Sequence, residues 1–194
     1  MFIKRDHRKV EEILHDVNDT REYLKLAKRS PEFQGTVRIL CKESKLEALS
    51  NLRILNLYDN ALTTVQGMGI LSQTPIEEIN LGCNNLMSIP LEFGALKGLK
   101  SLWLDDNKIS DFPVCLCQLE GLEALRLSGN ELQTIPSSIS NLQELHTISL
   151  DNNMLTEFPR GILSLSKLQH LWLRQNHIHV LPDDLDKLVL LETL

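Results

Sequence analysis

Apolar residues recur through most of the chain in one frame. The string Leu-x-x-Leu-x-Leu-x-x-Asn-x-Leu, with Ile in place of some leucines, occurs six times in steps of 24, 23, 23, 23 and 23 residues. Its first residues are Leu52, Ile76, Leu99, Leu122, Leu145 and Leu168. The alternation Leu-x-Leu predicts a short strand whose leucines face one side. Because one such unit cannot bury its apolar face alone, we expect the copies to stack on one another.

Each copy also carries an asparagine after the predicted strand. An asparagine amide donates and accepts hydrogen bonds, so it can satisfy backbone groups where the chain turns away from the strand. Five copies continue with an apolar residue and proline, whereas the first has Val65-Gln66 there. Proline fixes φ and lacks an N–H, which predicts a short extended or loosely helical return path. The asparagines are Asn60, Asn84, Asn107, Asn130, Asn153 and Asn176.

This frame resembles that of the leucine-rich repeat family over roughly residues 46–194. The resemblance implies an α/β fold, a right-handed, horseshoe-like solenoid with a parallel sheet on its concave side. The step of 23 residues with an apolar-Pro pair is similar to the intracellular Ras-suppressor or Shoc-2 class. Members of that class are scaffolds and regulators in signalling, including small-GTPase pathways. A signalling protein, with a small GTPase as one candidate, is therefore the implied partner.

The two ends of the chain depart from the frame. We assign residues 1–35 to a helical N-terminal cap and residues 36–194 to the array, which comprises a degenerate half repeat, six full repeats and a truncated seventh. Apolar spacing predicts one helix from Asp6 to about Val17, and a second over residues 20–27. The cap covers the first repeat or, alternatively, forms a separate contact site for a partner. Because the seventh copy stops at Leu194, we expect a fragment of a longer repeat protein.

Charge and cysteine content narrow the class of protein. The net charge of -6 divides into +2 over residues 1–50 and -8 over residues 51–194, which excludes a strongly basic nucleic-acid binder. The four cysteines lack the spacing of a disulfide framework or a zinc site. The N-terminus lacks a signal-peptide pattern, and no apolar run is long enough to span a membrane. These features predict a soluble protein in a reducing, cytoplasmic compartment.

The frame also predicts which side chains point away from the leucine core and form the concave face. Both tryptophans of the chain, Trp103 and Trp172, fall in the central outward column with Arg126 between them. Tryptophan and arginine on a rigid surface are residue types that often anchor protein partners. Acidic residues around them predict a negative field that would steer a basic partner, or alternatively a merely solvated surface. The predicted partner-binding residues are Tyr58, Trp103, Asp105, Asp106, Arg126, Asp151, His170, Trp172 and Arg174.

Catalytic chemistry has little support in the sequence. No phosphate-binding glycine loop, metalloprotease helix or nucleophile elbow is present, so we predict no enzyme activity and no cofactor. His170, His177 and His179 would need further ligands to bind a metal, so no metal site is predicted. Cys115 and Cys117 flank Leu116, which takes the core position, and we therefore expect both thiols near the surface.

The sequence thus predicts a non-catalytic protein-interaction module, a signalling scaffold or regulator that binds a protein on its concave face. A different hypothesis is that the chain is the recognition arm of a larger multidomain enzyme or immune-type receptor. A third is self-association through the C-terminal edge of the array.

Overall fold

The computed structural model describes residues 8–14, 16, 20–38, 40–41 and 49–194. Seven short strands in this part of the chain form one parallel sheet, in which spatial order follows chain order. The predicted solenoid with a parallel sheet is therefore confirmed. The strands are β1 (Tyr23–Lys25), β2 (Ile54–Asn56), β3 (Glu78–Asn80), β4 (Ser101–Trp103), β5 (Ala124–Arg126), β6 (Thr147–Ser149) and β7 (His170–Trp172).

The middle residue of each strand points into one continuous apolar core. Leu102, Leu125 and Ile148 are consecutive partners in the sheet, and each is fully buried. The leucine two positions later is buried in the same way in most copies. Alternation of side chains along a strand then leaves the flanking residues on the opposite face, which is the predicted concave face.

The frame asparagines form a ladder beside the sheet. In each copy the amide nitrogen donates to the carbonyl of the leucine three residues earlier and to a leucine carbonyl of the preceding copy, as Asn130 does to Leu127 and Leu104 at 3.0 and 2.9 Å. The side-chain oxygen accepts the N–H of a residue in the preceding copy, Ile109 in this case, at 3.1 Å. The ladder therefore binds each repeat to its predecessor through buried hydrogen bonds.

The return path behind the sheet consists of single 3-10 segments. In four copies the proline is the residue immediately before the first helical residue, with φ between -63° and -74°, which agrees with the loosely helical path that proline predicts. The first copy has Gly67 there instead, with φ of 93°. The segments are Met68–Gln73, Leu91–Ala95, Val114–Gln118, Ser137–Asn141, Arg160–Ser164 and Leu185–Lys187.

The N-terminal region differs from the prediction of two helices. Residues 23–25 are strand β1, which pairs with β2, and not part of a helix over residues 20–27. Leu24 and Leu26 enter the core with the period of two that β2 shows for Leu55 and Leu57, so pairing with the exposed edge of β2 overrides the local helical pattern. The backbone N–H of Arg29 donates to Asn60 Oδ1 at 2.5 Å, which places Arg29 at the asparagine position of an additional repeat.

Backbone conformation supports this additional repeat. The residue immediately before the asparagine position is left-handed in every copy, including Lys28 at φ of 62° before Arg29. Asp, Asn and Gly tolerate this conformation best, and they occupy four of these positions. The sheet therefore begins within residues 1–35. The left-handed residues are Lys28, Asp59, Cys83, Asp106, Gly129, Asn152 and Gln175, with φ of 52–68°.

Two short helices flank β1. Helix α1 is Val10–Ile13, within the helix predicted from Asp6 to Val17, and helix α2 is Ser30–Phe33. Asp6 and Val17, like Leu46 of the predicted half repeat, lie outside the described residues. Val10, Ile13 and Phe33 are buried in the same core as the repeats. No helix in the described ranges has the length and apolar character needed to cross a membrane.

Candidate protein-binding face

The predicted central column forms a straight row across the sheet. Trp103, Arg126, Ser149 and Trp172 are successive partners on β4, β5, β6 and β7. The two indoles are therefore three strand spacings apart, which is about 14 Å. The row places the aromatic and cationic side chains of the predicted site together on one rigid surface.

At one end of the row Arg126 is held by two neighbours. Its guanidinium carbon lies 5.6 Å from the centroid of the Trp103 ring, a cation–π arrangement. Its Nε lies 2.7 Å from Asp105 Oδ2, while the other oxygen of Asp105 accepts the N–H of Ser128 at 3.1 Å. The Arg126 side chain remains half exposed, whereas that of Asp105 is only 16% exposed. Asp105 thus holds the guanidinium of Arg126 in place, and the Arg126 side chain remains on the surface.

The environment of Asp105 shifts the pKa of its carboxyl group. Burial raises the pKa of its carboxyl group, and this effect outweighs the opposing effects of the Arg126 charge and of the Ser128 hydrogen bond. The carboxylate is therefore a covered structural group and contributes little field at the surface. The sequence predicts Asp105 to be a surface acid, because its place in an outward column does not show that Arg126 lies against its side chain.

At the other end of the row His170 supports Trp172. The two rings stack with centroids 5.6 Å apart and an angle of 18° between their planes. His170 Nδ1 also lies 3.2 Å from Thr193 Oγ1, within hydrogen-bonding distance. Trp172 is half-buried, and the stack restricts its indole to one orientation. His170 is thus a supporting residue for this tryptophan.

Between the two ends the surface is made of small residues, which the sequence prediction did not single out. Ser149 is buried, and its hydroxyl is bonded to that of Ser128. Ala124 and Thr147 precede Arg126 and Ser149 by two positions, and Gly129 follows Ser128. The signal was present in the sequence as small side chains at most outward positions of the β5 and β6 copies, namely Ala124, Ser128, Gly129, Thr147 and Ser149.

The remaining acids of the face are largely engaged. Asp59 lies 3.8 Å from Lys28, and Asp151 Oδ1 accepts the N–H of Arg174 at 2.6 Å. Asp106 is exposed, and its Oδ2 accepts a hydrogen bond from the thiol of Cys83, with 3.5 Å between Sγ and Oδ2. These contacts weaken the negative field expected from the sequence, because most of the carboxylates have a donor or a cation beside them.

Tyr58 lies apart from the tryptophan row, on the turn after β2. Its hydroxyl oxygen lies 2.9 Å from Cys83 Sγ, within hydrogen-bonding distance, and its side chain is 38% exposed. Partial burial raises the pKa of the Cys83 thiol, which disfavours the nucleophilic thiolate. Tyr58, Cys83 and Asp106 therefore form a second polar group on the same face.

The expectation that Cys115 and Cys117 lie near the surface is wrong. Both side chains are buried behind the sheet in the 3-10 segment Val114–Gln118. The tight 3-10 turn packs all three residues from Cys115 to Cys117 against the core. Burial raises the pKa of both thiols, so neither is a reactive nucleophile at neutral pH.

Thiol labelling of the native protein is expected to follow this burial. At pH 7.5, N-ethylmaleimide should modify Cys115 and Cys117 at least roughly tenfold more slowly than the half-buried Cys83, because the buried pair reacts only after local opening. Peptide mapping by mass spectrometry measures the order, and labelling in urea, where all sites should react alike, is the control. Equal rates in the native state would contradict the packing of this segment.

Among the described residues, no group of three or more His, Cys, Asp or Glu side chains is arranged to hold a metal ion. His177 and His179 are both exposed beyond the end of β7, whereas His170 is committed to its stack on Trp172. The described side chains of the concave face offer aromatic rings, a guanidinium and hydroxyl groups to a ligand.

Known proteins share this repeat. The family model described as leucine rich repeat matches residues 74–132, and a second leucine-rich repeat model matches residues 167–188. These two segments are leucine-rich repeats, and leucine-rich repeat domains bind proteins or peptides.

Two curated relatives match less than half of the chain. One is a putative neurotrophin receptor, LTRK 1, of Lymnaea stagnalis, 28% identical over 86 residues that are 44% of this chain and 10% of that protein. The other is the probable serine/threonine-protein kinase pats1 of Dictyostelium discoideum, 34% identical over 82 residues, 40% of this chain and 3% of that protein. The chain therefore corresponds to a small part of each relative.

Solved structures match over more of the chain. A leucine-rich repeat protein of Leptospira interrogans has a TM-score of 0.68 and 28% identity, over 77% of this chain and 44% of that one. The plant peptide hormone receptor RGFR1, in complex with RGF2, has a TM-score of 0.67 and 30% identity over 77% and 25%. The ectodomain of the receptor kinase GASSHO1 from Arabidopsis thaliana, bound to CASPARIAN STRIP INTEGRITY FACTOR 2, has a TM-score of 0.71 and 27% identity over 92% and 21%.

Proposed function

We propose that this protein is a non-catalytic interaction module that binds a protein partner on its concave face through Trp103, Arg126 and Trp172. The observation that carries the proposal is the row on β4 to β7, in which Asp105 fixes Arg126 over one indole and His170 stacks on the other. Anchors held in place before binding lose less conformational entropy when the complex forms. Tryptophan and arginine are also the residue types in which binding energy concentrates.

The cellular role that we propose is that of a cytoplasmic signalling scaffold or regulator of the Ras-suppressor or Shoc-2 class, with a small GTPase among the candidate partners. The regular step of 23 residues and the apolar-Pro pair support this class. The cysteines in the described part of the chain are free thiols, which suits a reducing compartment.

Affinity capture from the native cell tests the binding site. Trp103→Ala and Trp172→Ala are each expected to weaken capture of the partner by about 30-fold, the effect of losing roughly 2 kcal/mol at an anchoring residue. Leu91→Ala is the matched control, because Leu91 is 82% exposed in a 3-10 segment behind the sheet. Partner capture that is the same for both tryptophan variants and for the control would contradict the site.

A second candidate function is that of a recognition arm within a larger enzyme or immune-type receptor. The observation that favours it is the small share of the curated relatives that the chain spans, 10% of a putative receptor and 3% of a probable kinase. An immunoblot of native cells with an antibody against the array distinguishes the two candidates. A band above 22.1 kDa that yields kinase or receptor peptides would support the second, and a band of any mass whose peptides include no kinase or receptor domain would support the first.

A further inference from the structure

On the concave face, a strip of small residues on β6 lies between two large side chains. The floor of this region is Thr147 and Ser149, and its two walls are Arg126 on β5 and Trp172 on β7, which stand in register on either side of Ser149. The floor is low because Ser149 is buried, with its hydroxyl bonded to that of Ser128. We call this region the β6 slot.

The width of the β6 slot selects the shape of its occupant. The backbones of the two walls are two strand spacings apart, about 10 Å, and the wall side chains themselves take up part of this width. An α-helix with its side chains is about 10–12 Å across and does not fit between them. The backbone of a single extended chain, about 5 Å across in a sheet, does fit between them, and its side chains then extend over the two walls.

The two walls differ in chemistry. On one side Arg126 contacts Asp105 through its Nε, and its side chain is half exposed, so the N–H groups of its two terminal nitrogens can donate to a partner. On the other side Trp172 presents an indole whose orientation is fixed by the stack with His170. The arginine wall therefore offers N–H donors with positive charge, and the tryptophan wall offers an aromatic surface.

The charges near the β6 slot do not cancel the preference of the arginine wall for a hydrogen-bond acceptor. Asp105 is mostly covered by Arg126, and Asp151 gives one oxygen to the N–H of Arg174, at the turn after β6 and β7. A carboxylate is the acceptor that forms the strongest hydrogen bonds with a guanidinium, whereas a lysine or arginine of a partner would be repelled by it.

In an extended segment adjacent side chains point in opposite directions. A segment lying in the β6 slot would thus turn one residue towards Arg126 and the next towards Trp172. We propose that the β6 slot binds one extended segment of the partner in which an aspartate or glutamate is adjacent to an aromatic or large apolar residue. This inference rests on the proposed function and specifies the chemistry of the partner.

Selection from a phage-displayed library of random heptapeptides on the immobilised protein tests the inference. We expect enrichment of peptides in which Asp or Glu adjoins Trp, Phe, Tyr or Leu. A synthetic peptide of the selected sequence, measured by fluorescence polarisation, should lose binding at least roughly tenfold with Arg126→Gln and with Trp172→Ala. Replacing its acidic residue by lysine should have an effect of the same size.

Arg160→Gln is the matched control, since Arg160 is an exposed arginine in a 3-10 segment on the opposite side of the core. This variant should leave the peptide affinity unchanged, and circular dichroism should show that all variants are folded. Arg126→Lys, which keeps the charge but not the planar fork, should recover only part of the affinity.

Three outcomes would overturn the inference: enrichment of basic peptides, absence of the acidic–aromatic pair, or affinities insensitive to Arg126→Gln and Trp172→Ala. The result of the peptide selection can be judged separately from the result of the partner-capture experiment. If Trp103→Ala and Trp172→Ala abolish partner capture while the selected peptides lack the pair, the inference fails and the proposed function stands. If capture is also unchanged, both fail.

Discussion

Replacing Asn107 by alanine is expected to lower the free energy of unfolding by about 2–6 kcal/mol. The N–H of Leu86 loses its partner, at about 1–3 kcal/mol, and two buried carbonyls each lose one of their two amide donors, at about 0.5–1.5 kcal/mol each. The Asn107 amide nitrogen donates to the carbonyls of Leu81 and Leu104, both at 3.0 Å. Its side-chain oxygen accepts the N–H of Leu86 at 3.0 Å. Alanine offers neither donor nor acceptor, and Asn107 is buried, with 7% exposure.

Urea unfolding followed by circular dichroism measures this effect. The control is Asn141→Ala, because Asn141 is an exposed asparagine at the end of the 3-10 segment Ser137–Asn141, and its replacement should change the free energy of unfolding by less than about 0.5 kcal/mol. If the two alanine variants proved equally stable, the asparagine ladder would not be what holds the copies together.

Leu125→Ala is expected to cost about 2–5 kcal/mol of stability. Leu125 is the fully buried middle residue of β5 and is the sheet partner of Leu102 on one side and Ile148 on the other. Truncation removes apolar contact with both neighbouring repeats and leaves a cavity at the centre of the array. In a stacked array this weakens two interfaces between repeats at once.

The same urea experiment tests Leu125, with Leu91→Ala as the exposed leucine that should have little effect. Loss of stability in Leu91→Ala comparable to that in Leu125→Ala would show that the core does not lie where the repeat frame places it.

The repetition of the frame made most of this fold predictable. Leucine at two alternating positions and asparagine three residues after the second of them recur six times, so each copy supports the assignment of the others. Strands β2 to β7, the asparagine ladder and the return path after proline all follow from that frame.

Strand β1 could not be predicted in this way. Its repeat has Arg21 where the frame has leucine and Arg29 where it has asparagine, so no match to the frame is visible. Its strand conformation depends on pairing with β2, a contact about 31 residues away along the chain. Local spacing of Tyr23, Leu24 and Leu26 suits a helix as well as a strand.

The sequence predicts which side chains of the candidate site lie on the outward surface, but it does not predict how these side chains contact one another. The frame shows that Trp103, Arg126 and Trp172 point outward in one column. It does not show that Arg126 lies over Trp103 or that Asp105 is covered, because these depend on the rotamers of neighbouring long side chains. The burial of Cys117 was missed for a related reason, since the frame does not report how tightly the 3-10 turn packs.

Site-specific photocross-linking in the native cell tests the central claim most directly, that the concave face around β6 binds a protein partner. A photoreactive phenylalanine analogue placed at Arg174, an exposed residue beside the β6 slot, should yield a cross-linked partner, and Arg126→Gln or Trp172→Ala should reduce the yield at least roughly tenfold. The same analogue at Glu120, exposed behind the sheet, should yield none. A partner cross-linked from position 120 and not from position 174 would contradict the account.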